Sequence, residues 1–286
     1  MEPLRIVSLN AYPAGYHLVR EFAERNGHEI VLVVTLPHTT RYGESVRPMV
    51  LDLPEKSNAL ITGKLRTVAA PVIEALRPDV VISAAFPRLI PKEILEIPRY
   101  GAINCHPSPL PAGRGPTPQR LIYEGDERVG ATVHRTAAEF DTGAILAQRI
   151  VPLPEDLNGS GIMRTWTTLL TECLDEAVPR LIAGDPGEVQ DPARATEAPF
   201  FTEAEYFLDL TEPSAVIRRK AAALNVTAPA AKLDLAGTTH TIIRTDPAPA
   251  QSPAPPGTVL SEDPSGWTIQ TADQPLHLTR LGNTPV

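Results

Sequence analysis

The chain has 286 residues, room for two domains, with 42% hydrophobic and 21% charged residues, ordinary values for a folded globular protein. A net charge of −8 argues against unspecific nucleic-acid binding, and the one tight basic cluster, Arg218, Arg219 and Lys220, reads as a solvated helix face. Two cysteines make neither a zinc site nor a disulfide framework, and neither a signal peptide nor a membrane-spanning run is visible, so the expectation is a soluble, cytoplasmic protein without a metal.

In chain order, LRIVSLN (4–10) predicts a buried strand and residues 15–27 an amphipathic helix closed by Gly27. HEIVLVVTLP predicts a second strand, followed by the irregular polar stretch HTTRYGESVRP and a helix over 58–76. DVVISAAF (79–86) reads as a third strand, PKEILEIP as a short helix and GAINCH (101–106) as a fourth strand. Strands alternating with helices predict an α/β domain, a Rossmann-like open parallel sheet with crossover helices. Ligands of such sheets sit at the carboxyl ends of the strands, so the loops after Phe86 and His106 should border one crevice.

Residues 130–153 read as two strands joined by a turn carrying Asp141, Thr142 and Gly143, and 160–183 as a helix stopped by Gly184 and Pro186. An irregular stretch follows, then a helix over 213–224 and KLDLAGTTHTIIRTD, a hairpin around Gly237. PAPAQSPAPPG (247–257) is a Pro/Ala-rich connector. TVLSED, GWTIQTA and PLHLTRL complete the strands of a small β-barrel. The expected organisation is a catalytic domain over 1–187, a linker over 188–204 and a small β-rich domain over 205–286.

The stretch GAINCHPSPLPAGRG places an amide, an imidazole and a proline-stiffened loop side by side. Asn104 and His106, two apart on a strand, share a face, whereas Cys105 points into the core. An amide N–H placed where a tetrahedral acyl-transfer centre gathers negative charge is a preorganised donor worth on the order of 3 kcal/mol. His106 can shuttle a proton, and Asp141, in a turn at the same sheet edge, is the carboxylate to orient it. Taken singly, each has an ordinary reading as a loop histidine, a turn asparagine or a common Asp-Thr-Gly turn.

Together they carry a family resemblance. INCHPSPLPAGRGPTPQRLIYEGDERVGATVHRTAAEFDTGAILAQ resembles the catalytic region of formyltransferases that use 10-formyltetrahydrofolate. The resemblance implies that Asn104, His106 and Asp141 are the catalytic trio and that Ser108, Pro109, Leu110 and Pro111 form the folate loop. DVVISAAFPRLIPKEIL resembles the family's pterin-side segment, which implies a pterin against the backbone of Phe86, Arg88, Leu89 and Ile90 and of Ala137, Glu139 and Phe140. The C-terminal portion resembles the OB-like barrel of methionyl-tRNA formyltransferases and some sugar N-formyltransferases. No metal is implied.

For the acceptor, the stretch after the second strand is mixed in charge rather than basic, and the C-terminal portion is not basic either. The expectation is therefore a small-molecule primary amine, such as an amino sugar or amino acid, with methionyl-tRNA the alternative. Arg114, His134, Arg135 and Arg41 could contact an anionic acceptor, although His134, Arg135 and Arg41 read first as solvated surface residues. A formyltetrahydrofolate hydrolase and a non-catalytic folate-binding protein are further readings, and the oligomeric state is open.

Overall fold

In the computed structural model, residues 2–37, 53–249 and 254–282 are described. The polar stretch expected after the second strand, with Arg41, and the centre of the Pro/Ala-rich connector lie outside them. The chain divides into two compact units, Met1–Gly115 with Gly130–Ile150 and Thr167–Thr196, and Pro116–Val129 with Val151–Trp166 and Glu197–Val286. Residues 188–204, expected as a linker, divide between the units after Thr196.

The first unit is organised on a seven-stranded sheet. Its strands are β1 (Arg5–Leu9), β2 (Glu29–Thr35), β3 (Ala59–Ile61), β4 (Val80–Ala84), β5 (Ala102–His106), β6 (Arg128–Arg135) and β7 (Ile145–Pro152), in the order β3-β2-β1-β4-β5-β6-β7. β1 to β5 run parallel and β6 antiparallel to β5. β4 is buried along its whole length, as expected of a strand covered on both faces. Helix α1 (Pro13–Asn26) starts on a proline, tolerated where the N–H has no helical partner, and closes on Gly27 at φ 70.

The strand order reverses between β1 and β4, the position where open α/β sheets bind ligands. Asn10, fully buried just past β1, stitches this point together. Its Nδ2 donates to the Ala84 carbonyl (3.0 Å), its Oδ1 accepts from Ser8 Oγ, and its backbone N–H donates to Val34 (3.1 Å).

The expected helix over 58–76 is corrected. Ala59–Ile61 pairs with β2 as the edge strand β3, Leu65–Ala69 forms a π turn, and only α2 (Ala70–Leu76) is α-helical. A three-residue apolar run has no readable period, so the open edge of β2 decides it. Short α3 (Lys92–Leu95) leads to β5, and α4 (Arg120–Glu124) and α5 (Gly159–Ile182) follow. Among the described residues no helix is long and apolar enough to cross a membrane.

The second unit holds α6 (Ser214–Leu224) and an antiparallel sheet of β8 (Ala231–Leu235), β9 (Thr238–Pro247), β10 (Val259–Asp263), β11 (Gly266–Gln270) and β12 (Pro275–Arg280), in the order β10-β11-β12-β9-β8. Ala236 and Gly237 both have positive φ, as a two-residue hairpin turn needs. Ile217, Leu224, Ile242, Trp267, Ile269 and Leu278 form its core. Arg120 is buried there against Glu205 (2.8 Å), which also closes a capping box with Thr202.

Candidate active site

β5 carries the first two residues. Alternation along the strand turns Cys105 inward, where burial pushes its thiol far above the ordinary range, and sets Asn104 and His106 on the other face. Across the antiparallel β5–β6 pair, Asn104 stands opposite His134 and His106 opposite Thr132. Residues directly opposite share a face, so β6 delivers His134 to the same place. The solvated position expected for His134 is corrected: it is 1% exposed, because Val129–His134 lies inside the sheet between β5 and β7.

The turn after β6 brings in Asp141. Its φ of 56 is left-handed, a conformation costing a non-glycine residue about 1–2 kcal/mol that aspartate tolerates better than most. Gly143 lets the turn close, since a Cβ there would lie 1.7 Å from the Arg135 carbonyl oxygen.

Three groups converge on Asp141 Oδ1: Asn104 Nδ2 at 3.2 Å, His106 Nδ1 at 3.6 Å and His134 Nε2 at 3.6 Å. Oδ2 accepts the Gly115 N–H (3.0 Å). Burial alone would raise the Asp141 carboxyl, but the positive charge of His106 and His134 when protonated, together with the Gly115 N–H, draws it well below the usual carboxylate range. His106 Nε2 faces the Gly113 carbonyl (2.8 Å), which can only accept, so the proton of the neutral ring sits on Nε2. Burial pulls the His106 pKa below its ordinary value, against the opposing pull of Asp141 and the Gly113 carbonyl. His134 Nδ1 faces the Arg135 carbonyl (2.8 Å), which leaves its Nε2 to accept from Asn104 Nδ2 at 3.2 Å. The resting site thus has an ionised Asp141, a neutral His106 and a half-buried Asn104 amide.

The proline-rich loop is built to hold these groups. Thr132 Oγ1 donates to the Ser108 carbonyl (2.7 Å) and accepts from Leu110 N (3.2 Å) and Gln148 Nε2 (3.0 Å). Ser108 is buried with its hydroxyl on the Ala112 carbonyl (2.8 Å), Leu110 is buried, and Pro109 and Pro111 are half-buried. Pro109 lies against Gly130, where a Cβ would come within 2.5 Å of its nitrogen.

Phe86 and Ile90 are buried, Arg88 and Leu89 exposed, and no backbone hydrogen bond engages residues 86–90 among the described residues. Ala137 is half-buried, and Glu139 and Phe140 are exposed beside Asp141. Arg135 donates to the Asp185 (2.5 Å) and Pro186 (3.2 Å) carbonyls rather than joining the Asp141 cluster. Arg114 donates to Gln190 Oε1 (2.7 Å). Thr132, Gln148 and Gln190 were not legible as site residues, since a lone threonine or glutamine carries no motif. A separate open groove, lined by Arg66, Glu74, Arg77, Asp79, Glu93 and Arg99, shares no residue with this cluster.

Comparison with known proteins bears on this geometry. The formyl transferase family profile matches residues 6–178, and the formyl transferase C-terminal domain matches 201–284. The chain is 32% identical over 250 residues to a methionyl-tRNA formyltransferase of Thiobacillus denitrificans, covering 85% of this chain and 80% of that one. It is 32% identical over 267 residues to the Bacillus licheniformis methionyl-tRNA formyltransferase, covering 90% and 83%. A crystal structure of HypX from Aquifex aeolicus in complex with tetrahydrofolic acid shares the fold, with a TM-score of 0.73 and 21% identity over 96% of this chain and 43% of that one.

The expected preference for a small-molecule amine over tRNA is therefore corrected, because relatives similar over most of the chain are named methionyl-tRNA formyltransferases. The inference failed because net charge sums the whole surface, whereas a partner responds to the local field within about 8–10 Å. The chain belongs to the formyl transferase family and is a 10-formyltetrahydrofolate-dependent formyltransferase.

Proposed function

We propose that the protein formylates the amino group of methionyl-tRNA in the cytoplasm, with Asn104, His106 and Asp141 as its catalytic residues. Relatives at about one-third identity over most of the chain carry that name. The observation that carries the site assignment is the convergence of Asn104 Nδ2 (3.2 Å) and His106 Nδ1 (3.6 Å) on one oxygen of a buried, ionised Asp141.

The residues present fit a folate. The backbone of Phe86–Ile90, without a backbone hydrogen bond among the described residues, offers donors and acceptors to a planar polar ring, and the exposed segment through Glu139 and Phe140 lies beside Asp141. When bound, 10-formyltetrahydrofolate supplies the formyl group. The Asn104 amide, whose two N–H groups rest on Asp141 and His134, turns one of them to the formyl oxygen as negative charge gathers there. His106 Nδ1, free of a proton in the resting state, holds the proton lost by the attacking amine, and the imidazolium so formed is stabilised by Asp141. His134 and Asp141 fix the rotation of the Asn104 amide, and Thr132 holds the Ser108–Pro111 loop against β6.

The test is formyl transfer from 10-formyltetrahydrofolate to methionine-charged initiator tRNA. Wild-type protein should yield formylmethionyl-tRNA, and Asn104→Ala should lower turnover about 100- to 1,000-fold, as loss of one oxyanion donor does. Absence of product with the wild-type protein, or near-normal turnover in the folded variant, overturns the proposal. Formate release that needs no acceptor would identify a hydrolase.

A further inference from the structure

We propose that Gln190, in the irregular segment after α5, is a positioning residue for formyl transfer that sets Asp141 through its backbone. The inference rests on the function proposed above. Gln190 never reaches Asp141's carboxylate. Its Nε2 donates to the main-chain carbonyls of Asp141 and Gly143, both at 2.8 Å, and its Oε1 accepts from Arg114 Nη2 at 2.7 Å and Nε at 3.3 Å. The residue is 7% exposed, so each end of the amide faces a fixed partner away from bulk water.

The polarity of that amide is chemically specified. Two carbonyls can only accept and a guanidinium can only donate, so the position needs two N–H donors at one end and an acceptor at the other. Glutamine satisfies all of them. Glutamate would keep the Arg114 contact and set an oxygen against both carbonyls, and methionine would keep the volume and make no hydrogen bond.

The segment itself is fastened on both sides of the site. Glu188 exchanges two backbone hydrogen bonds of 2.8 Å with Ile145, just beyond the Asp141 turn. Thr196 accepts from Arg114 N (2.9 Å) and, through Oγ1, from Gly113 N (2.9 Å). Gly113 and Gly115 in turn contact His106 Nε2 and Asp141 Oδ2. Gln190 is thus a side-chain link, beside the Asp141 Oδ2 bond to Gly115, between the turn that presents the carboxylate and the loop that orients the imidazole. Asp141 holds a left-handed backbone conformation, and removing the two donors releases that turn.

The experiment compares wild type, Gln190→Met and Gln190→Glu by thermal melting, by steady-state formylation of methionyl-tRNA from 10-formyltetrahydrofolate, and by NMR titration of the His106 ring. Among the described residues, the charged and titratable groups facing that ring are Asp141 and His134. Both variants should fold, lose about 10- to 100-fold in kcat as misplacement of a reacting group does, keep KM for methionyl-tRNA within about twofold, and shift the His106 titration. Glutamate should be the more damaging of the two. A folded variant with kcat near wild type and an unmoved His106 titration overturns the proposal, as does a loss confined to KM. If the wild-type protein does not formylate methionyl-tRNA, the function above fails, and the His106 titration still decides the role of Gln190.

Discussion

Thr132→Val tests whether the Ser108–Pro111 loop is held by one hydroxyl. Valine matches threonine in shape and keeps the β6 backbone, so the change isolates three hydrogen bonds: Oγ1 to the Ser108 carbonyl (2.7 Å), Leu110 N to Oγ1 (3.2 Å) and Gln148 Nε2 to Oγ1 (3.0 Å). Gln148 keeps a second acceptor, the Leu110 carbonyl at 2.7 Å, but the buried Ser108 carbonyl and Leu110 N–H lose the partner they share. Each orphaned buried group costs about 1–3 kcal/mol, giving about 2–6 kcal/mol for the pair, with water entering the loosened loop pulling toward the lower end. Equilibrium urea unfolding of the two proteins measures the difference, and amide exchange at Leu110 should quicken in parallel. Turnover should fall as well, because Gly113 and Gly115, which contact His106 and Asp141, lie on the same loop. A stability loss below about 0.5 kcal/mol with unchanged Leu110 exchange refutes the assigned role, since surface-like substitutions stay within that bound.

Two further outcomes follow from the same geometry. The folded pKa of His106 lies below its unfolded value of about 6.5, and that of Asp141 below about 3.9. In both cases the unfolded chain binds more protons, so each contribution to stability is complete above the unfolded pKa and is lost as pH falls toward the folded one. Partly buried His28 acts in the same direction as His106. The melting temperature should hold from pH 8 to 7, start to fall below about pH 6.5, and fall further below about pH 4; a rise between pH 7 and 5.5 would contradict the buried, neutral His106. Gly143→Ala sets a methyl 1.7 Å from the Arg135 carbonyl oxygen, so the Asp141 turn must open. Calorimetry should show a loss above about 3 kcal/mol, or the variant should fail to fold; wild-type melting and turnover would mean that the turn adapts.

The legible part of the site followed from strand geometry and a short motif. Two residues apart on a strand means one face, which placed Asn104 with His106, and Asp-Thr-Gly announced the turn holding Asp141. His134 was misread because alternation carries no signal in Val129–His134, where every residue is buried. Gln190 was out of reach for a different reason. Its partners lie 49, 47 and 76 residues away, and nothing local marks a glutamine in an irregular segment as buried. β3 was lost for want of length, since the edge of β2, not periodicity, recruits Ala59–Ile61. The acceptor was misjudged from a global charge, a quantity that governs solubility and long-range attraction better than it identifies a partner.

The protonation states around Asp141 fix one another. The Gly113 carbonyl can only accept, which places the proton of the neutral His106 ring on Nε2 and leaves a lone pair on Nδ1 facing Asp141 Oδ1 at 3.6 Å. Asn104 donates to that same oxygen at 3.2 Å and Gly115 to the other at 3.0 Å, so a proton on either oxygen would compete with a donor already in place. The carboxylate therefore stays ionised while the imidazole beside it stays neutral, an arrangement with one unfilled place for one proton. Under the proposed reaction the attacking amine must lose one proton before the departing nitrogen takes one. Nδ1 can hold it in between, at the one ring atom where the new positive charge meets a charge already in position. Asp141→Asn tests this: it keeps the shape, removes the countercharge and sets an amide NH2 against one of the two donors, so turnover should fall far more than binding of either substrate.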